Sequence, residues 1–216
     1  MSIVDYGTLQ TAVKDWANRI DSSVSARVTD LIRLGEDRIW YTNPQGVVRS
    51  QWDITATSLV VPAAQNWVAL PTDWMQFERV KLPGSANVQT TRSNKVEYMP
   101  PALLEDLYDP GDPNAYTIEG GRFIWGQTAG ASGQSFDVKY HAFPGYLSST
   151  ITSTWLLTKA PSIYLYAALL EFAVFVKKMD AVANYGALLD KAIAGFMSVD
   201  LAAQQAGSAW RYRRNG

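Results

Sequence analysis

The stretch from Ile163 to Val176 constrains this chain more than any other, because all but one of its fourteen residues are apolar and the exception is Glu171. A bilayer span needs about 20 apolar residues. Here Lys159, Pro161 and Ser162 close one side, and Lys177 and Lys178 the other. The stretch therefore predicts a buried soluble helix rather than a membrane span. Pro161 suits its start, where a missing N–H costs nothing. A helix apolar all round needs cover on every side. That cover comes either from the rest of the chain or from neighbouring subunits, and Tyr164, Tyr166, Phe172 and Phe175 are the candidates for subunit–subunit packing.

On the N-terminal side of this helix the hydrophobic period changes. Leu9, Val13, Trp16 and Ile20 share one helical face, and Val24, Val28, Leu31/Ile32 and Ile39 share a face of a second helix. Asp30, Arg33 and Glu36 follow one another at spacings of three, which predicts solvated ion pairs on its outer side. From about Asn43 the period becomes two. Strands are predicted over 51–57, 66–70, 77–82, 95–99, 116–119, 122–125 and 136–140, with a helical turn at 72–75 and a helix over 102–108. Gly120-Gly121 accepts the positive φ of a two-residue hairpin. After the apolar helix a second long one, 182–205, repeats Val182, Tyr185, Leu189, Ile193, Phe196 and Val199.

These patterns predict an α+β fold. An N-terminal helix pair and two long C-terminal helices form a helical bundle, 1–42 with 150–206. A small antiparallel β region, 43–149, is inserted between them, and 207–216 forms a C-terminal arm.

Composition excludes several functions. Lys+Arg 19 against Asp+Glu 20 rules out a protein that wraps duplex nucleic acid with its whole surface. Eight Trp, eleven Tyr and seven Phe rule out a disordered chain. Zero Cys excludes a disulfide scaffold, a thiolate zinc site and a cysteine nucleophile. Met1 to Tyr6 shows neither a basic nor an apolar leader region, so no secretory signal is expected.

The chain carries few residues with evident chemistry. His141 is the single histidine, and with no Gly-x-Ser-x-Gly elbow in the chain it reads as structural or surface-exposed. Gly126, Gly130 and Gly133 lack the Lys of a phosphate loop and read as a hairpin loop. Six acids, Glu97, Glu105, Asp106, Asp109, Asp112 and Glu119, lie between Val96 and Gly121 with no Lys or Arg among them. They read as a solvated acidic edge or as a patch for a basic partner. A glycan hydrolase using two of them is a lesser alternative. No catalytic, metal-binding or cofactor-binding residue is expected, and no cofactor. The tail from Gly207 interleaves Trp210 and Tyr212 with Arg211, Arg213 and Arg214. Such residues dominate interface hot spots, so the tail is either a frayed end or an arm that orders on a partner.

Three motifs in order carry a resemblance: the turn Leu70-Pro71-Thr72-Asp73-Trp74, the hairpin Tyr116-Thr117-Ile118-Glu119-Gly120-Gly121, and the helix from Pro161 through Tyr164-Leu165-Tyr166 to Glu171. From about Tyr6 to Phe196 the chain resembles the head-to-tail adaptor (connector) proteins of tailed, chiefly short-tailed, bacteriophages. The resemblance implies a non-enzymatic virion protein at the head-to-tail interface, present in the host cytoplasm before assembly. It implies a ring of twelve copies beneath the portal protein that extends the DNA channel and offers a platform to tail nozzle, tail tube or fibre proteins. Double-stranded DNA would pass through without sequence-specific binding, and no membrane is involved. On this reading Trp210, Arg211, Tyr212, Arg213 and Arg214 dock on the portal. A tail-completion or tail-tube protein is the alternative within the virion.

Overall fold

The computed structural model describes residues 2–18, 22–41, 50–83, 94–106 and 114–206. The chain divides into two compact units, residues 1–52 with 144–216, and residues 53–143.

The first unit is helical. Helix α1 (Tyr6–Ala17) opens on a capping box, in which the Asp5 carboxylate accepts from the Thr8 N–H and the Thr8 hydroxyl accepts from the Asp5 N–H. It closes at Asn18, which takes the left-handed conformation with φ 49°. Leu9, Ala12 and Val13 face the core. Trp16, expected on the same face, is 54 % exposed and meets the Tyr166 ring edge-on. After the short α2 (Ser22–Ser25), α3 (Val28–Tyr41) buries Leu31, Ile32, Gly35, Ile39 and Trp40.

The apolar stretch becomes α6 (Pro161–Phe175), preceded by α5 (Trp155–Lys159) and followed by α7 (Met179–Ala206). Most of the cover for α6 comes from its own unit: α1, α3, α5 and α7 all pack against it. A Cβ on Gly35 of α3 would stand 2.9 Å from the Ala168 backbone nitrogen and 3.2 Å from the Ala167 Cβ. A glycine facing two alanines is thus what lets α3 and α6 approach so closely. The polar exception, Glu171, accepts from both Nε and Nη2 of Arg38 at 2.6 Å, which ties α6 to α3. Along α7, Leu189 and Ile193 are buried and Phe196 packs on Trp155. Val199 is exposed, and the buried position there is Asp200, which accepts from the Ser50 hydroxyl at 2.8 Å.

The second unit is a sheet of seven strands: β1 (Ile54–Val61), β2 (Trp67–Ala69), β3 (Trp74–Lys81), β4 (Lys95–Tyr98), β5 (Ala115–Glu119), β6 (Arg122–Trp125) and β7 (Gln134–Ala142). Their order is β1-β7-β3-β4-β5-β6-β2. The edge strands β1 and β2 come back beside each other, so the sheet is a nearly closed barrel. All pairs are antiparallel except β4–β5, where Glu97 lies opposite Ala115 and Tyr98 opposite Tyr116. Helix α4 (Pro101–Asp106) lies in the connection that parallel pairing requires. The core is aromatic and β-branched: Phe123 and Phe136 meet at 5.0 Å, and Phe77 meets Tyr116 at 5.7 Å, above Val61, Val80 and Val138.

This corrects the expected fold class. The protein is not a helical bundle with a small antiparallel β insert but a seven-stranded, nearly closed mixed barrel together with helices. The physical reason is that β2, β4, β5 and β6 are three to five residues each. Read singly, such strands look like isolated hairpins. They become one barrel through the parallel β4–β5 pair and through β7, which inserts between β1 and β3. Both are long-range pairings that a local period of two does not encode.

Two of the motifs gain a mechanical meaning. The turn at 70–74 is not helical: Trp74 N–H bonds to the Pro71 carbonyl at 3.0 Å and Trp74 already opens β3. Asp73 accepts from the Tyr140 hydroxyl at 2.9 Å through its carboxylate and from the Phe143 N–H at 2.6 Å through its carbonyl. The β5–β6 hairpin turns on Gly120 and Gly121, with φ 56° and 73°. Positive φ at both central residues is the geometry that matches the twist of the flanking strands.

Candidate interaction surfaces

The described residues with chemical potential are used structurally or kept apart, and Glu105, Asp106, Asp109 and Asp112 lie outside the described side chains. His141 Nδ1 lies 2.6 Å from Asp53 Oδ1, whose side chain is fully buried at the entrance to β1. Gly133 has φ 73°, and a Cβ there would come within 2.8 Å of the Val61 carbonyl, so this glycine serves backbone packing. Of the six acids, Glu97 and Glu119 have described side chains. Glu97 is exposed and 3.3 Å from Lys95 Nζ, and Glu119 is exposed and opposite Arg122. Because Glu97 pairs with Ala115, Glu119 lies four residues further along β5, a separation of about 13 Å at strand rise. That exceeds the spacing of a glycosidase pair. Among the described residues no three His, Asp or Glu side chains gather as a metal site, and no helix is long and apolar enough to cross a membrane.

Exposed apolar side chains are the more telling feature. Of the four aromatic residues expected at subunit contacts, Tyr164 and Phe172 are buried in the helical unit and Tyr166 is half-buried, while Phe175 is 51 % exposed. Phe175 stands beside Val174 at the end of α6, and α7 begins at Met179, 75 % exposed. Lys177 between them adopts φ 57°, which turns the chain sharply from α6 into α7. Leu34 and Tyr41, two helical turns apart on α3, are also exposed, as are Leu188, Val199 and Leu201 on α7. Val174, Phe175 and Met179, close together in the chain, are apolar surface of the kind that a partner covers, whereas single exposed apolar side chains elsewhere are ordinary. The arm Trp210, Arg211, Tyr212, Arg213 and Arg214 lies outside the described residues.

One polar cluster went unread in the sequence. Glu36, expected in a solvated pair with Arg33, is instead 1 % exposed, and its Oε1 accepts from the Leu147 N–H at 2.9 Å. Next to it the Tyr146 hydroxyl donates to Asp37 Oδ1 at 2.6 Å, and the Arg33 guanidinium stacks on the Tyr146 ring. Spacing along α3 put Arg33 and Glu36 together on the outer, solvated side, whereas Glu36 is buried. What it lacked was the segment around 144–147, which packs over that side and turns a surface into an interior.

Among the described residues, the geometry offers the surfaces above rather than a catalytic constellation. No curated protein matches the chain. The family model described as SU10 adaptor protein, in contrast, matches residues 4–214, nearly the whole chain. The protein therefore belongs to the SU10 adaptor protein family and is a structural adaptor of a bacteriophage.

Proposed function

We propose that this protein is a head-to-tail adaptor that assembles as a ring of twelve copies below the portal protein, extends the DNA channel and gives tail nozzle, tube or fibre proteins their attachment platform. The observation that carries this reading is the family match across 4–214. The exposed apolar side chains of the helical unit support it, since Phe175, Met179, Leu34 and Tyr41 are surface that neighbouring subunits would cover. The interleaved Trp210, Arg211, Tyr212, Arg213 and Arg214 would dock on the portal, because aromatic and guanidinium groups combine large buried area with fixed hydrogen-bond donors. A net charge of −1 suits a channel that passes DNA without retaining it.

Electron microscopy of the protein mixed with portal tests the assembly: a ring with the symmetry of the portal is expected, and a monomer or an unrelated symmetry overturns the proposal. Deleting 207–216 tests the arm. Portal binding should weaken by at least about tenfold, the loss of a single hot-spot residue pair, and undiminished binding would remove the arm from the portal contact.

A further inference from the structure

Strand β1 is an edge that the barrel leaves largely uncovered. It runs for eight residues, whereas β2, the strand it returns beside, has three. The link 62–66 brings β2 back from the Val61 end, and among the described residues no ladder joins the two strands. Burial follows that geometry. Leu59 and Val61 are buried, while Thr55 and Thr57, which share their side of the strand, are exposed. Ala56 and Ser58, on the opposite side, are exposed too. From Thr55 to Ser58 the strand has solvent on both sides, and among the described residues its backbone pairs with β7 alone. Natural sheets blunt such an edge with Lys, Pro, a bulge or short length. Ile54–Val61 carries no charge and no proline, and its register with β7 is unbroken over all eight residues. A long, regular, unguarded edge is a template for an added strand.

The side chains beside this edge specify what it would hold. On the outer side Ala56 stands opposite Lys139, and Lys139 stands opposite Arg79. Like charges facing each other across a ladder are destabilising, and an anion beside them would relieve that. Among the described residues neither cation has a carboxylate within ion-pair distance. An open groove of about 470 Å³ has Ala56, Thr57, Lys139 and Arg79 in its walls. A strand added to β1 would lie two strand spacings, about 10 Å, from β7. With only the methyl group of Ala56 between them, an acidic side chain placed beside Ala56 can meet Lys139. One row along, Ser58, Asp137 and Lys81 stand in line. There the carboxylate is the nearer charge, so an acid beside Ser58 is disfavoured.

We infer that the free edge of β1 takes up an extended segment of another protein, with an acidic residue beside Ala56. On the function proposed above, on which this inference rests, that protein is a tail component and β1 is where the platform holds it. A second copy of this chain fits less well. Its edge strands, β1 and β2, carry no acid to meet Lys139 and Arg79. Duplex nucleic acid also fits less well. Binding along a phosphate backbone neutralises many charges in a row, whereas this edge offers two cations beside a carboxylate and a bare strand.

Two end-capped, seven-residue synthetic peptides test this on the full chain. Each alternates threonine and valine, and they differ only in a central glutamate or lysine. Fluorescence anisotropy of the labelled peptides measures affinity, and hydrogen-exchange mass spectrometry locates the contact. The glutamate peptide should bind about tenfold more tightly than the lysine peptide and slow exchange across Thr55–Ser58. Arg79→Glu with Lys139→Glu should reverse that preference. Circular dichroism melts establish that the variant folds, and if it does not, Arg79→Gln with Lys139→Gln should abolish the preference instead. Failure of both peptides to bind, equal affinities, or slowed exchange only outside β1 overturns the docking edge and leaves the ring reading standing. A wild-type chain that forms no ring with portal, while the glutamate peptide still binds at β1, overturns the tail component as the source. Exchange across Thr55–Ser58 that slows with protein concentration alone makes a second copy the occupant and overturns the heterologous one. A short DNA duplex that binds the wild type but not Arg79→Glu with Lys139→Glu, where neither peptide binds, assigns the cations to nucleic acid and overturns the inference.

Discussion

Leu147 donates its backbone N–H to Glu36 Oε1 at 2.9 Å, which places a carboxyl group with 1 % exposure between α3 and the segment that follows the barrel in the chain. Burial pushes the Glu36 carboxyl from 4.5 up to about 7, against the Leu147 hydrogen bond and the Arg33 charge, both of which favour ionisation.

The consequence is a pH dependence of opposite sign to that of a salt-bridged acid. Between about pH 4.5 and pH 7 the folded chain keeps the Glu36 proton while the unfolded chain releases it. The contribution of Glu36 to stability is thus fully present below pH 4.5, is lost as pH rises to 7, and is level above that. Glu36→Gln keeps the acceptor for Leu147 and removes the titration. It is expected to raise stability at pH 8 by about 2–3 kcal/mol relative to wild type and to change little at pH 4.5. Urea unfolding of both proteins across this range checks it, and parallel curves would refute the assignment.

Gly35→Ala sets two magnitudes against each other. Alanine gains about 1 kcal/mol of helix propensity over glycine. Its Cβ, however, would stand 2.9 Å from the Ala168 nitrogen, and α6 backbone cannot yield as a side-chain tip does. Overpacking of this kind costs about 1–3 kcal/mol, so net destabilisation is expected. Gly186→Ala on α7 has nothing within 4 Å of its new Cβ and should stabilise by about 0.5–1 kcal/mol. Urea midpoints moving in opposite directions confirm the contrast. Equal shifts would show that propensity alone governs both sites.

His141→Phe removes one hydrogen-bonding partner, 2.6 Å away, of a fully buried Asp53 side chain. Losing one hydrogen bond to a buried carboxyl group costs about 1–3 kcal/mol. The expected result is a clearly lowered urea midpoint for the barrel transition, followed by the tryptophan signal. An unchanged midpoint would mean that the pair does not hold the entrance to β1.

Much of the helical unit was legible. Pro161 and the unbroken apolar run announced α6, and Gly120-Gly121 announced the β5–β6 hairpin, because a ring-locked φ and a positive φ are properties of single residues. Glu36 and Val199 were misread for a shared reason. Helical spacing tells which residues share a side but not what lies against that side. At Glu36 the Leu147 segment covers a carboxylate. At the end of α7 the Ser50 hydroxyl pairs with Asp200, so the polar residue goes inside and Val199 faces out.

By itself the sequence determined the local periods, the need to cover α6 and membership of the adaptor family, since each is carried by residues near one another or by their order along the chain. The tertiary structure alone decided that α6 is covered largely by its own unit, that seven strands, four of them short, close into a nearly complete barrel, and that Arg79 faces Lys139. Those outcomes depend on ladders and hydrogen bonds between distant residues, such as the pair 111 positions apart that joins Leu147 to Glu36. Such pairings are selected by the summed burial of the whole fold, which no single stretch of chain contains.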